Sequence, residues 1–147
     1  MALPASRPVA RPQFDTLIEC TPLRILLSRG DQTTAISLGN VQLFDASGQS
    51  VTVLADSQVS LAGVAGPSKL DTSALFDEAA PQWLVPRARD APAVVVSIAI
   101  PSIVPLASVV LTNSNEAASA ASWVVVKWDG RQVWSGELAL GGSARVN

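Results

Sequence analysis

Three carboxylates, Asp71, Asp77 and Glu78, fall close together in the chain. Glycoside hydrolysis needs only two, one to protonate the leaving oxygen and one to act as base or nucleophile. Adjacent Asp77 and Glu78 point to opposite sides of an extended chain, however, and acids in a loop ordinarily face water. Most other catalytic schemes fail on residue type. The chain has no His and no Tyr, which removes the commonest general base and the Ser-His and Cys-His nucleophile pairs. The single Cys20 has Glu19 and no cation beside it in sequence, the reverse of what activates a thiol, and a lone Cys is most often a small buried apolar residue. One Cys and no His leave no zinc set. There is no glycine-rich phosphate loop. The expected protein is not an enzyme.

Two binding chemistries survive this test. Calcium takes carboxylate and carbonyl oxygens from loops, and Asp45, Asp71 and Asp77 are the candidate ligands, although no dense Asp-x-Asp-x-Asp spacing exists. Trp rings stack on sugar faces, and of the four Trp residues Trp83 falls in the most loop-like region. Trp128 and Trp134 flank Asp129-Gly130, where packing as a cross-strand aromatic pair is the expectation.

The elements that would position these residues are strands. Leu23, Ile25 and Leu27 alternate with Arg24 and Leu26 before the turn Ser28-Arg29-Gly30-Asp31. Its Arg-Gly-Asp tripeptide binds integrins in some extracellular proteins, but three residues at a turn are far more often coincidence. Ile36 and Leu38 share one phase and Val41 and Leu43 the other, as a bulge at Gly39-Asn40 would produce. Asp45-Ala46-Ser47-Gly48 signals a turn into a hairpin through Val51 and Val53. Residues 55–89 read as long loops with short strands. Strands return at 94–100, 108–112 and 123–128, and Asp129-Gly130 predicts a hairpin into 132–138. Ala117 to Ala121 suits a single helical turn, too short to stand alone.

Residues 91–111 carry no charge over a length that would span a bilayer. Pro101 and Pro105 would each cost a helix about 3 kcal/mol, and the Val and Ile content suits a sheet. Two buried strands joined by a Pro-containing turn are expected, not a membrane span.

The fold class predicted is therefore all-β, an antiparallel β-sandwich. Residues 1–20 form an extended arm in this reading, with Pro4, Pro8 and Pro12 and with Arg7 and Arg11 as its partner contacts. Residues 21–140 form the sandwich and 141–147 a short C-terminal tail. Apolar residues make up 48% of the chain and charged residues 15%, against a usual charged share of about 25%. So sparse a charge leaves apolar surface exposed, and such patches mark contact sites. The net charge of -2 offers no footprint for nucleic acid. The N-terminus lacks the apolar stretch of a secretory signal, which predicts synthesis in the cytoplasm.

The order of the pieces resembles a known family. Ile36 to Ser50, with its Asp45-x-x-Gly48 turn, resembles the early strand and turn of discoidin-like domains, the coagulation-factor C-type modules with a galactose-binding-like jelly roll. Ser68 to Asp71, Phe76 and Trp83 resemble a loop in which the family uses an Asp and a Trp. Pro105 to Asn113 is similar to the strand that follows, and Val124 to Trp134 to the closing hairpin. Thr72 replaces the Gly usual after the Asp, and the Arg usual before the last hairpin has no counterpart. The resemblance implies a jelly roll, a glycan met by Asp71 and Trp83, and in some members calcium. Two functions compete. One is a structural or protein-binding module joining the other subunits of an assembly, for example a minor capsid or decoration protein of a large virus. The other is a carbohydrate-binding module.

Overall fold

The computed structural model describes residues 19–29, 35–53, 58–65, 72–77 and 83–147. Alternation organises its central strand. In β1 (Cys20–Ser28) Leu23, Ile25 and Leu27 are buried, Arg24 is exposed and Leu26 half-buried, so one face meets a core and the other does not. Two strands flank β1 antiparallel. On one side lies β6 (Val94–Pro101), with Leu23 opposite Ile98, and on the other β8 (Trp123–Trp128), with Ile25 opposite Val126. Outside these run β4 (Val59–Ala62) and β9 (Arg131–Glu137), giving a five-stranded sheet in the order β4-β6-β1-β8-β9.

Facing it is a three-stranded antiparallel sheet, with β7 (Leu106–Thr112) between β3 (Asn40–Asp45) and β10 (Ser143–Val146). A two-stranded sheet pairs β2 (Ala35–Leu38) with β5 (Trp83–Pro86). Val41, Leu43, Val109, Leu111 and Val146 from the second sheet, and Ile36, Leu38, Trp83 and Val85 from the third, join the inner face of the first in one core. Each such side chain contributes roughly 1.5–3 kcal/mol by leaving water. The chain is an all-β antiparallel β-sandwich, as its alternation and turn signals predict.

Residues 91–111 resolve as expected into two strands, with Val104 N–H donating to the Pro101 carbonyl at 2.9 Å in the turn between them. β6 and β7 enter different sheets, so the connection is an arch across the sandwich. Among the described residues no helix is long and apolar enough to cross a membrane. The Asp129-Gly130 hairpin also forms, with φ of 53° and 83°, the left-handed geometry that two-residue hairpins require.

Three expectations need correction. The change of phase after Leu38 is not a bulge within a strand. The strand stops there, and the next begins at Asn40 in another sheet. Gly39 is the pivot, because a Cβ at this position would lie 2.8 Å from the Asn113 carbonyl oxygen and 3.0 Å from that of Thr112. Residues 141–147 are not a tail: β10 pairs with β7 and turns Val146 inward, so the sheets run from Cys20 to Val146. Its alternation covers four residues, too few to read against the preceding glycines. The hairpin after Asp45 is shorter than expected, since Val51 N–H still bonds the Leu43 carbonyl at 2.8 Å but residues 51–53 form no strand.

At one end, buried Asn113 ties the loops together. Its Nδ2 donates to the carbonyls of Ala121 at 2.8 Å and Leu138 at 3.1 Å, and its Oδ1 accepts from Ser114 N–H at 2.9 Å. Ser119 and Ala120 N–H both bond the Glu116 carbonyl, closing the turn foreseen at 117–121.

Candidate functional site

Among the described residues, those singled out in the sequence do not converge on one site. Asp45 Oδ1 accepts from Ser47 Oγ at 2.7 Å, Ser47 N–H at 2.9 Å and Gln49 N–H at 3.0 Å. The Ser47 hydroxyl bond above all, then the Gln49 amide, hold its carboxyl below the ordinary value. Its work is to close the turn that follows β3. Asp77 is exposed and follows a single 3-10 turn, Ser73–Phe76, which Asn40 Nδ2 anchors through the Leu75 carbonyl at 3.1 Å. Asn40 and Asp45 stand at opposite ends of β3, about 16 Å apart at 3.3 Å per residue. Asp71 and Glu78 lie outside the described residues, as do Arg7 and Arg11 of the arm and Gly30 and Asp31 of the Arg-Gly-Asp turn. Among the described residues no three of His, Cys, Asp or Glu gather to hold a metal.

Trp83 overturns the stacking expectation. It is 2% exposed, paired with Leu38 and packed in the core, so neither face of its indole is open to a sugar. A four-residue strand turns Trp83 and Val85 inward and Leu84 and Pro86 outward, and the short alternation hid it in an apparently loop-rich stretch. Trp128 and Trp134 are not a directly opposed pair either. A register shift after Val126 sets Trp134 against Val126 and Trp128 against Arg131. The Trp134 ring folds along its own strand, where a Cβ on Gly136 would come within 2.9 Å of it. Cys20, expected in the interior, is exposed at the start of β1. Arg29 Nη1 donates to the carbonyls of Ala117 at 3.0 Å and Ala120 at 2.7 Å, so it braces the neighbouring turn.

The feature that does converge is the outer face of the five-stranded sheet. Register places Ala62 beside Val95, Val95 beside Leu26 and Leu26 beside Val125. Four strands thus present one continuous apolar row on the side turned away from the core, ending at Ser135 on β9. One step along the strands, Trp123 projects from the same face at 43% exposure. In the other direction the row gives way to polar groups: Ser60, Ser97, Arg24, Lys127 and Gln132 line up in that order across all five strands. The arrangement has no nucleophile and base in partnership; what it offers is apolar contact beside positive charge. Sequence reasoning missed these residues. Their signal was the unbroken apolar runs Val94-Val95-Val96 and Val124-Val125-Val126, where a one-sided strand should alternate.

Two cavities lie elsewhere. One of about 120 Å³ opens between the sheets beside Leu23, Leu106, Val126, Trp128 and Val133. The other, about 320 Å³, lies along β3 beside Gln42, Ser50, Thr52 and Phe76. Neither is lined by an Asp, Glu, Lys, Arg or Cys side chain among the described residues.

Comparison with protein-family models, curated proteins and solved structures finds no match to this chain.

Proposed function

We propose that the chain is a non-catalytic protein-binding module that joins a larger assembly through the outer face of its five-stranded sheet. The observation that carries this reading is the apolar row Ala62-Val95-Leu26-Val125 with Trp123 beside it. An antiparallel sheet with one solvated face ordinarily alternates apolar and polar residues. A row that keeps apolar residues on its outer side in four strands is what a covered face needs. The low charged share of the chain supports the same conclusion.

The narrower form, a minor capsid or decoration subunit of a large virus, rests on analogy of fold. The Asp45 turn and the Asp129-Gly130 hairpin both form, as these turn residues would form them in any antiparallel sandwich. They lend nothing to sugar binding, whose aromatic platform Trp83 is buried.

The test compares the mass of the purified protein by light scattering with its sedimentation in extract of its native source. A small species alone that travels with a large particle in extract is expected. The doubly substituted Leu26→Ser, Trp123→Ser protein should still unfold cooperatively, within about 2 kcal/mol of the wild type, and leave the particle. Wild-type protein that remains small in both settings overturns the reading, and a particle that is a virion selects its narrower form.

A further inference from the structure

Arg24 on β1 and Lys127 on β8 stand directly opposite each other across the sheet. Side chains so placed start from Cβ atoms about 5 Å apart, and like charges there destabilise a sheet unless an anion lies between them. Among the described residues none supplies it. Two acids lie nearest: Asp129, in the turn two residues beyond Lys127 with its N–H on the Pro22 carbonyl at 3.0 Å, which makes no ion pair with either cation, and Glu137, which is level with Trp123, about 13 Å along the strand from Lys127. Arg24 is exposed and Lys127 half-buried. Their neighbours along the same row, Ser97 and Gln132, are uncharged.

From this we infer that the outer face takes an amphipathic helix of a partner protein, with its apolar stripe on the Ala62-Val95-Leu26-Val125 row and two acidic residues over Arg24 and Lys127. The inference rests on the protein-binding reading above and names its partner by chemistry. The dimensions agree. The row crosses four strands and reaches a fifth, about 14–19 Å at 4.8 Å per strand, the length of roughly 10–13 helical residues at 1.5 Å each. Acids three or four positions apart on a helix are separated by about 4.5–6 Å along its axis, which matches the spacing of neighbouring strands. The apolar and basic rows are two residues apart along each strand, about 7 Å. A helix about 10 Å wide resting on the first therefore overhangs the second.

A lipid surface fits less well. Leu26, Val95 and Val125 are half-buried and, among the described residues of this face, Trp123 is the one large apolar side chain that projects, whereas interfacial binding needs a set of apolar groups that enter the acyl region. The most exposed large apolar side chain among the described residues, Ile103 at 92%, sits in the β6–β7 turn at the far end of the sheet. An added strand needs an open edge instead of a face.

Synthetic helical peptides of about 14 residues, identical except for two acidic-flank positions carrying Glu, Gln or Lys, test the inference by calorimetry against the full chain. The Glu peptide should bind about tenfold more tightly than the Gln peptide, with the Lys peptide weakest, and the preference should weaken as salt is added. The doubly substituted Arg24→Glu, Lys127→Glu protein should unfold cooperatively as before and prefer the Lys peptide. Equal binding of the Glu and Lys peptides overturns the inference, as does binding of phosphatidylserine-rich vesicles with no binding of any peptide. In native extract, equal incorporation of this variant and the wild type also overturns the acidic partner while the assembly reading survives. Wild-type protein absent from any particle overturns both.

Discussion

Leu26 and Leu27 are neighbours of the same type, and their substitution by Ala should give opposite results. Leu27 is fully buried on the inner face of β1, opposite Val94 and Val124. Removing it loses transfer energy and leaves a void that the surrounding Val residues close only in part, a cost of about 3 kcal/mol. With a urea slope near 1.5 kcal/mol/M, the unfolding midpoint should fall by roughly 2 M. Leu26 is half-buried on the outer face, between Val95 and Val125. Its methyl groups touch strand neighbours on the flanks and water above, so Leu26→Ala should cost below about 1 kcal/mol of folding stability. Under the proposed assembly role the same change should remove the protein from the particle, because Leu26 lies in the middle of the apolar row. Urea titration by Trp fluorescence reads the first effect and sedimentation the second. A Leu26→Ala cost equal to that of Leu27→Ala would refute the reasoning, since it would mean that the outer face is already covered within the monomer.

Asn113→Asp, nearly isosteric, replaces two N–H donors by an oxygen aimed at the Ala121 and Leu138 carbonyls. It should destabilise by about 3–5 kcal/mol at neutral pH, measured by chemical denaturation, and a cost no greater than 1 kcal/mol would show that the amide is dispensable. Gly39→Val should fail to fold or lose several kcal/mol, because its nearest contacts are the backbone carbonyls of Asn113 and Thr112, which cannot swing aside; thermal unfolding checks this. Asp45 has a folded-state pKa below the ordinary value of 3.8, so the native state binds fewer protons than the unfolded one in that range. Its contribution is present above pH 3.8 and is lost as pH falls through the depressed folded value. The gap in unfolding midpoint between wild type and Asp45→Ala should therefore narrow as the solution is acidified below this point, and a gap independent of pH would refute the assignment.

How legible the molecule is in its sequence varies with the range of the interaction. Alternation at Leu23, Ile25 and Leu27 marks β1 because period-two burial is local, and Asp129-Gly130 marks its hairpin because the turn demands positive φ at both positions. Gly39 is harder. A bulge and a change of sheet both invert the phase of the residues that follow, and only the carbonyls of Thr112 and Asn113, far along the chain, separate the two. Trp83 was misplaced for a related reason: four residues of alternation between Pro81 and Pro86 are too few to outweigh the turn signals around them. The acids attracted notice by residue type. Yet residue type reports neither that Asp45 is committed to its own turn nor that Asp77 lies beyond the 3-10 turn at Asn40.

The proposed binding face could not be read from any one segment. Leu26, Val95 and Val125 are far apart in sequence, and each alone is an ordinary apolar residue in a strand. They become a row because β1 lies between β6 and β8, an order the chain reaches only by leaving the sheet after β1 and returning three times, at β4, β6 and β8. The same register also ends the row. One step on, Ser97, Arg24 and Lys127 occupy the outer positions of those three strands, so the face is not apolar throughout. A strand buried on both sides would stay apolar along its whole length. Here the apolar band is narrow and bordered by two cations. A broad cover, such as another sheet packed face to face, would bury Arg24 and Lys127 together at high desolvation cost. A single helix with acids on one flank covers the band and answers both charges, which is why the width of the row, as much as its apolarity, selects the partner.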